Sequence, residues 1–165
     1  MRARAARNVD SSVAVRYPIG AMPFPEDQEI VFPNDGGCFG CSPSNPIGLR
    51  LRFRRHGDTV VARHTIADRF HGAPGIAHGG IVATLLDETS CAAVFFVQER
   101  FVVTGELTVR YVRPCPVGTP LELRARATGA HPRYAVVEGE VRDGDVVVAR
   151  STGKFFFQER HEPAP

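Results

Sequence analysis

The chain has 165 residues, room for one domain with a sizeable core, since a chain of this length buries roughly 70% of its unfolded surface on folding. Apolar residues make up 43% and charged residues 23%, which excludes a disordered or fibrous chain. The net charge of +2 leaves no electrostatic footprint for nucleic acid, and no uninterrupted apolar run approaches the ~18 residues of a membrane span.

Residues 1–27 read as a flexible basic segment, with Arg2, Arg4 and Arg7 near the start and a Pro-rich linker at Pro18, Pro23 and Pro25. Such a start also has the charge of a mitochondrial transit peptide; a plain basic tail is the simpler reading. With no apolar signal segment, a reducing cytoplasmic setting and free thiols are expected. The domain is placed at residues 28–158, followed by a tail at 159–165. Residues 33–48 are an irregular loop rich in Pro, Gly, Asn and Ser. It contains Cys38-Phe39-Gly40-Cys41, which has metal-ligand spacing but no second pair to complete about four ligands, so no metal is expected.

From Gly48, Leu49, Leu51 and Phe53 alternate with Arg50, Arg52 and Arg54. This predicts a strand with one solvated face, and the Arg stripe reads as that face. His56-Gly57-Asp58 is a turn, and Thr59–Ile66 a second strand. Residues 71–80 form a glycine-rich loop. Ile81–Val97 has apolar residues at helical spacing at Val82, Leu85, Leu86, Ala93 and Phe96. Its other side carries Ala83, Thr84, Asp87, Ser90 and Cys91, so this helix is expected to be enclosed on most sides. Strands follow at Phe101–Val112, Leu121–Thr128, Tyr134–Arg142 and Val146–Phe157. Asp143-Gly144 marks a hairpin turn, making the last three strands an antiparallel meander. The fold class is α+β, with about five or six antiparallel strands curled around one long central helix.

Three features point to chemistry. His78-Gly79-Gly80 opens the helix, where unpaired N–H groups at the positive end of the dipole can hold a polarised carbonyl oxygen. Asp87 is an acid in a largely apolar helix, costly unless solvated or paired. Glu88 lies about 100° further round and is expected to face solvent. Thr104 stands on the following strand. Along a helix His78 and Asp87 are ~13 Å apart, too far for one carbonyl to touch both. If both act, the site joins the helix start of one subunit to Asp87 of another across a two-fold axis.

The run His78-Gly79-Gly80-Ile81-Val82-Ala83-Thr84-Leu85-Leu86-Asp87 resembles the helix motif of hotdog-fold acyl-CoA thioesterases of the PaaI type. Leu107-Thr108-Val109-Arg110-Tyr111-Val112-Arg113-Pro114 resembles the strand after it. Cys38–Cys41 with Asn45-Pro46-Ile47-Gly48-Leu49 resembles a loop found in a subset of the family. The resemblance spans about residues 33–157. It implies a hotdog fold and hydrolysis of an acyl- or aryl-CoA thioester by a homodimer or dimer of dimers, without nucleic acid, membrane or cofactor. Asp87 matches the catalytic carboxylate, as nucleophile or general base. Gly79 matches the residue whose N–H binds the thioester oxygen. His78 sits beside the thioester, and Thr104 matches a Ser or Thr that positions water or carboxylate. His71, Gly80, Glu88 and Arg113 are the expected substrate contacts. An Asn found in some relatives six residues before the histidine is here Gly72, so its contact is either made by His71 or absent. A thiolate leaves readily, so a carboxylate and an oxyanion site suffice. The alternatives are a non-catalytic acyl-CoA-binding hotdog protein, a hotdog hydratase or dehydratase, and a structural or interaction module with a zinc site at Cys38–Cys41.

Overall fold

The structure, a computed structural model, describes residues 26–30, 32 and 37–158. The expected basic segment and linker before residue 26, and all of the C-terminal tail at 159–165, lie outside these residues. Strands β1 (Glu29–Ile30), β2 (Phe53–His56) and β3 (Thr59–Thr65) come first, then a short 3-10 turn at Asp68–Phe70. The strands β4 (His71–Ala73) and β5 (Ile76–Ala77) lead into helix α1 (Gly79–Gln98). After the helix run β6 (Val102–Tyr111), β7 (Pro120–His131), β8 (Tyr134–Asp143) and β9 (Val146–Phe157).

One sheet of seven strands has the order β1-β2-β3-β7-β8-β9-β6, and β4-β5 form a separate pair. All pairings are antiparallel. The expected meander is β7-β8-β9. The strand count exceeds the expected five or six because the two-residue β1 extends the sheet edge, too short to show as a pattern. The glycine-rich loop at 71–80 likewise holds the β4-β5 hairpin, turned at Gly75 with φ +74°, a conformation that favours glycine.

The sheet wraps α1, the hotdog arrangement. Alternation sets which residues meet the helix: Leu121, Leu123 and Ala125 on β7, Ala135, Val137 and Val141 on β8, and Ala149 and Phe155 on β9 are all buried. From α1, Val82, Leu85, Leu86, Ala92, Ala93, Val94, Phe95 and Phe96 are buried against them. The buried hydroxyls of Thr89 and Ser90 donate to the Leu85 and Leu86 carbonyls at 2.7 Å, which satisfies them inside the helix. By length and composition α1 could cross a bilayer, with a mean hydropathy of 1.6. In the structure the sheet covers most of its apolar residues.

The strand expected from Gly48 begins only at Phe53. Leu49 and Leu51 are buried and Arg50 and Arg52 exposed, as the alternation requires. Their backbone is engaged elsewhere: the Leu49 and Leu51 N–H groups donate to the Phe39 and Gly40 carbonyls at 2.8 and 2.9 Å. The Arg stripe is a solvated face, with Arg52 and Arg54 paired to Glu29 at 3.1 and 3.8 Å.

Candidate functional site

Helix α1 starts one residue after His78, which caps it. His78 has extended backbone, and its ring Nδ1 accepts from the Gly80 N–H at 3.0 Å. The neutral ring then carries its proton on Nε2. The His78 carbonyl accepts from the Ile81 and Val82 N–H groups at 2.9 and 3.2 Å. Of the first-turn donors, that leaves the Gly79 N–H with no bond among the described residues. The approach there is close: a Cβ on Gly79 would stand 3.3 Å from the Tyr111 hydroxyl oxygen, which would have to yield by a few tenths of an ångström. That hydroxyl donates to the Gly79 carbonyl at 2.8 Å, tying the helix start to the end of β6. Beside Gly79 opens a cleft of about 360 Å³, lined by Ala77, Val82, Tyr111, Arg113 and Cys115 among others.

Two turns further on, half-buried Asp87 accepts a hydrogen bond from the Thr104 hydroxyl at 2.6 Å. The contact depends on an irregularity of β6. In a regular strand Thr104 would share a face with Glu106 and Thr108 and point away from the helix. The register with β9 shifts between Thr104 and Glu106. Gly105, the extra residue of this bulge, lets Val102 and Thr104 join Leu107 and Val109 on the helix face. A side chain at Gly105 would overlap the Phe156 ring. Cys91, one turn after Asp87, packs near the same pair. Burial first, then the Asp87 and Glu88 carboxylates, pushes its thiol well up, while the Thr104 hydroxyl pulls the other way.

Not every expected contact gathers here. Glu88 was expected at the surface or on substrate. It is instead half-buried beneath the 37–49 loop, where the Cys38 thiol donates to Glu88 Oε1 at 3.2 Å. Burial, followed by the Glu88 carboxylate and by Cys38, raises the Cys41 thiol far above its ordinary range. His71 is exposed and its Nδ1 lies 2.7 Å from the Asp68 carbonyl, outside the cleft lining. At Gly72 a Cβ would stand 3.1 Å from the His78 Cα, so the hairpin packs tightly where some relatives carry Asn. Arg113 is exposed at the cleft mouth, its backbone N–H held by the Val148 carbonyl at 3.1 Å. Gly80 contributes its N–H to the His78 cap. Tyr111 and Cys91 carry parts of the site that sequence reasoning did not assign. The Tyr111 position in the strand motif is the one signal that singles it out.

Thus Gly79 and the cleft stand at one end of α1 and the Asp87–Thr104 pair about 12 Å along it. Both reach solvent. Among the described residues, strand β6 ends the sheet order with a free edge. Around it Phe101, Val103, Tyr111 and Val112 are exposed by 41%, 51%, 53% and 46%, an apolar strip of the kind that a partner covers.

A family model described as the thioesterase superfamily matches residues 74–149. The match runs from the β4-β5 turn into β9, so it includes His78, Gly79, Asp87 and Thr104 and omits Cys38 and Cys41. The acyl-coenzyme A thioesterase THEM5 of Mus musculus is 33% identical over 86 residues, 51% of this chain and 34% of that protein. A mitochondrial protein of Candida albicans (strain WO-1), described as uncharacterized, is 27% identical over 117 residues, 70% of this chain and 52% of its own. The chain therefore spans about half or less of the length of these curated relatives. Among solved structures, a conserved protein of Pseudomonas aeruginosa is 30% identical with a TM-score of 0.61, over 67% of this chain and 90% of that one. A Streptococcus mutans protein bound to acetyl-CoA superposes with a TM-score of 0.61 at 21% identity, over 68% and 91% of the two chains; at that identity the likeness concerns the fold.

Proposed function

Since the chain belongs to the thioesterase superfamily, we propose that it hydrolyses an acyl-CoA or aryl-CoA thioester to the free acid and CoA, with Asp87 as its catalytic carboxylate. The observation that carries this reading is the 2.6 Å hydrogen bond from Thr104 to Asp87. It holds one oxygen of a half-buried acid and leaves the rest of the carboxylate open. Such a group can attack a thioester carbonyl directly or take a proton from an attacking water.

The other half of the chemistry is an oxyanion site. The Gly79 N–H, free of its own helix and at the positive end of the dipole, can donate to the carbonyl oxygen as negative charge develops there. His78 orients the turn as its cap. Arg113 at the cleft mouth suits a CoA phosphate. Because Gly79 and Asp87 of one chain stand about 12 Å apart, the reading requires two copies, each supplying one half of each of two sites. The free β6 edge and its exposed apolar side chains support a second copy there. The thioester then lies between the helix start of one subunit and Asp87 of the other. The tetrahedral adduct collapses with departure of the CoA thiolate, which needs no strong acid; where Asp87 itself attacks, water then hydrolyses the mixed anhydride to the free acid and restores the carboxylate.

The test is thiol release from a panel of CoA thioesters, acetyl to palmitoyl with phenylacetyl and benzoyl, for wild type and Asp87→Asn. Saturable turnover that falls by about 10²–10⁴-fold in the variant is expected. A folded dimer inactive on every member, or a variant as active as wild type, refutes the assignment. The preferred thioester names the acyl class, and an equilibrium sedimentation run checks the dimer.

A further inference from the structure

We propose that Cys38, Cys41 and Glu88 form a zinc site that clamps the 37–49 loop onto helix α1, with a solvent water as the fourth ligand. In the sequence, Cys38-Phe39-Gly40-Cys41 offers two ligands and lacks the others. Folding supplies a third from fifty residues away, since the two Sγ atoms and a Glu88 carboxylate oxygen all lie within 4.8 Å of one another. The Cys38 Sγ to Glu88 Oε1 distance is 3.2 Å. With Zn–S about 2.3 Å and Zn–O about 2.1 Å, tetrahedral ligand atoms stand about 3.6 Å (S···O) and about 3.8 Å (S···S) apart. Seating the ion therefore changes these separations by at most about 1.2 Å.

The turn holds the Cys38 sulfur in place. The Ser42 N–H donates to the Cys38 carbonyl at 3.1 Å, and the Gly40 N–H donates to Cys38 Sγ at 3.3 Å. Any Cβ on Gly40 would collide with Glu88 Cγ and Cδ, so the loop closes directly on the carboxylate stem. Asn45 braces the loop from inside, donating to the Gly37 carbonyl at 2.8 Å and accepting from the Ile47 N–H at 3.0 Å. Among the described residues Glu88 enters no ion pair, so no side-chain cation already serves it. Two thiolates with one carboxylate select a thiophilic divalent ion over calcium or magnesium. The three residues are half-buried, which leaves room for a water in the open position. The site stands apart from the proposed thioester chemistry: Glu88 turns to the loop where its neighbour Asp87 turns to β6. The matched family region also begins well after the two cysteines.

The experiment loads the reduced, full-length protein with zinc, desalts it, and measures metal by mass spectrometry, with a parallel cobalt(II) titration. Expected are about one zinc per chain and a cobalt spectrum with thiolate charge-transfer bands and the strong d–d absorption of a tetrahedral centre. Cys38→Ser and Cys41→Ser should lose the metal, while Cys115→Ser should keep it. Glu88→Gln keeps the side-chain shape and should weaken zinc affinity by at least about tenfold, with circular dichroism showing the fold retained. Zinc should raise the Tm of wild type and not of Cys41→Ser. A reduced wild type that holds no zinc overturns the proposal. So does equal zinc in a Cys38→Ser/Cys41→Ser double variant, or wild-type affinity in Glu88→Gln.

Discussion

Replacing Thr104 by Val isolates the contact on which the proposed site turns. Valine keeps the β-branched shape and the strand preference of threonine. It removes one hydroxyl and with it the 2.6 Å bond to Asp87. A hydrogen bond to a charged group contributes about 1.5–3 kcal/mol. Thr104 is exposed, so in the free protein water takes over the vacated oxygen and stability changes little. Once a thioester fills the site that water is displaced and the lost donor goes unreplaced. The lower end of the range, about 1.5 kcal/mol, corresponds to roughly tenfold in rate. Thr104→Val should therefore lower kcat about tenfold on the best CoA thioester, with KM nearly unchanged and Tm within about 2 °C of wild type. Thr104→Ser restores the hydroxyl and should recover most of the rate. A Thr104→Val enzyme with wild-type kcat, or a Thr104→Ser enzyme as slow as the valine variant, would show that this bond does not position Asp87.

Other parts of the molecule respond in their own ways. His78→Ala removes the side-chain cap of α1, which costs about 1 kcal/mol and should lower Tm by about 2–4 °C for a chain of this size; His78→Asn, another capping residue, should restore it, as read by thermal unfolding. Burial lowers the pKa of His64 below its usual 6.5, so the unfolded chain binds the proton more readily than the folded one. The stabilisation from the neutral ring is complete above pH ~6.5 and is lost as pH falls towards the folded value. His64→Gln should flatten that acid limb in Tm against pH, and an unchanged limb would place the effect elsewhere. The Cys115 thiol, buried and then opposed by the Asp143 carboxylate, is pushed up to about 11. At pH 7.5 it should stay unmodified by iodoacetamide in the native chain and react fully in denaturant, as counted by intact mass.

Local patterns carried much of the fold. The run of apolar residues at helical spacing between Val82 and Phe96 set α1, and the structure extends it only to Gly79 and Gln98. The Asp143-Gly144 turn set the hairpin of β8 and β9, and alternation set the buried Leu49, Leu51 and Phe53 against exposed arginines. These signals are legible because each depends on neighbours within one turn or one hairpin. Motif spacing likewise brought His78, Gly79, Asp87 and Thr104 forward together. The tertiary structure decided what each of them touches. Nothing local announces that the backbone slips at Gly105, yet that single extra residue turns Thr104 from the face of Glu106 to the face of Asp87. Nor does a lone Cys38–Cys41 pair reveal that Glu88 lies over it, for the two meet only when α1 settles into the sheet. The start of β2 moved from Gly48 to Phe53 for the same cause, because the Leu49 and Leu51 N–H groups were claimed by carbonyls of the 37–49 loop. Hydrophobic period is a property of the sequence. Register, bulges and meetings between distant segments follow from how the whole set of backbone groups and side chains is satisfied at once.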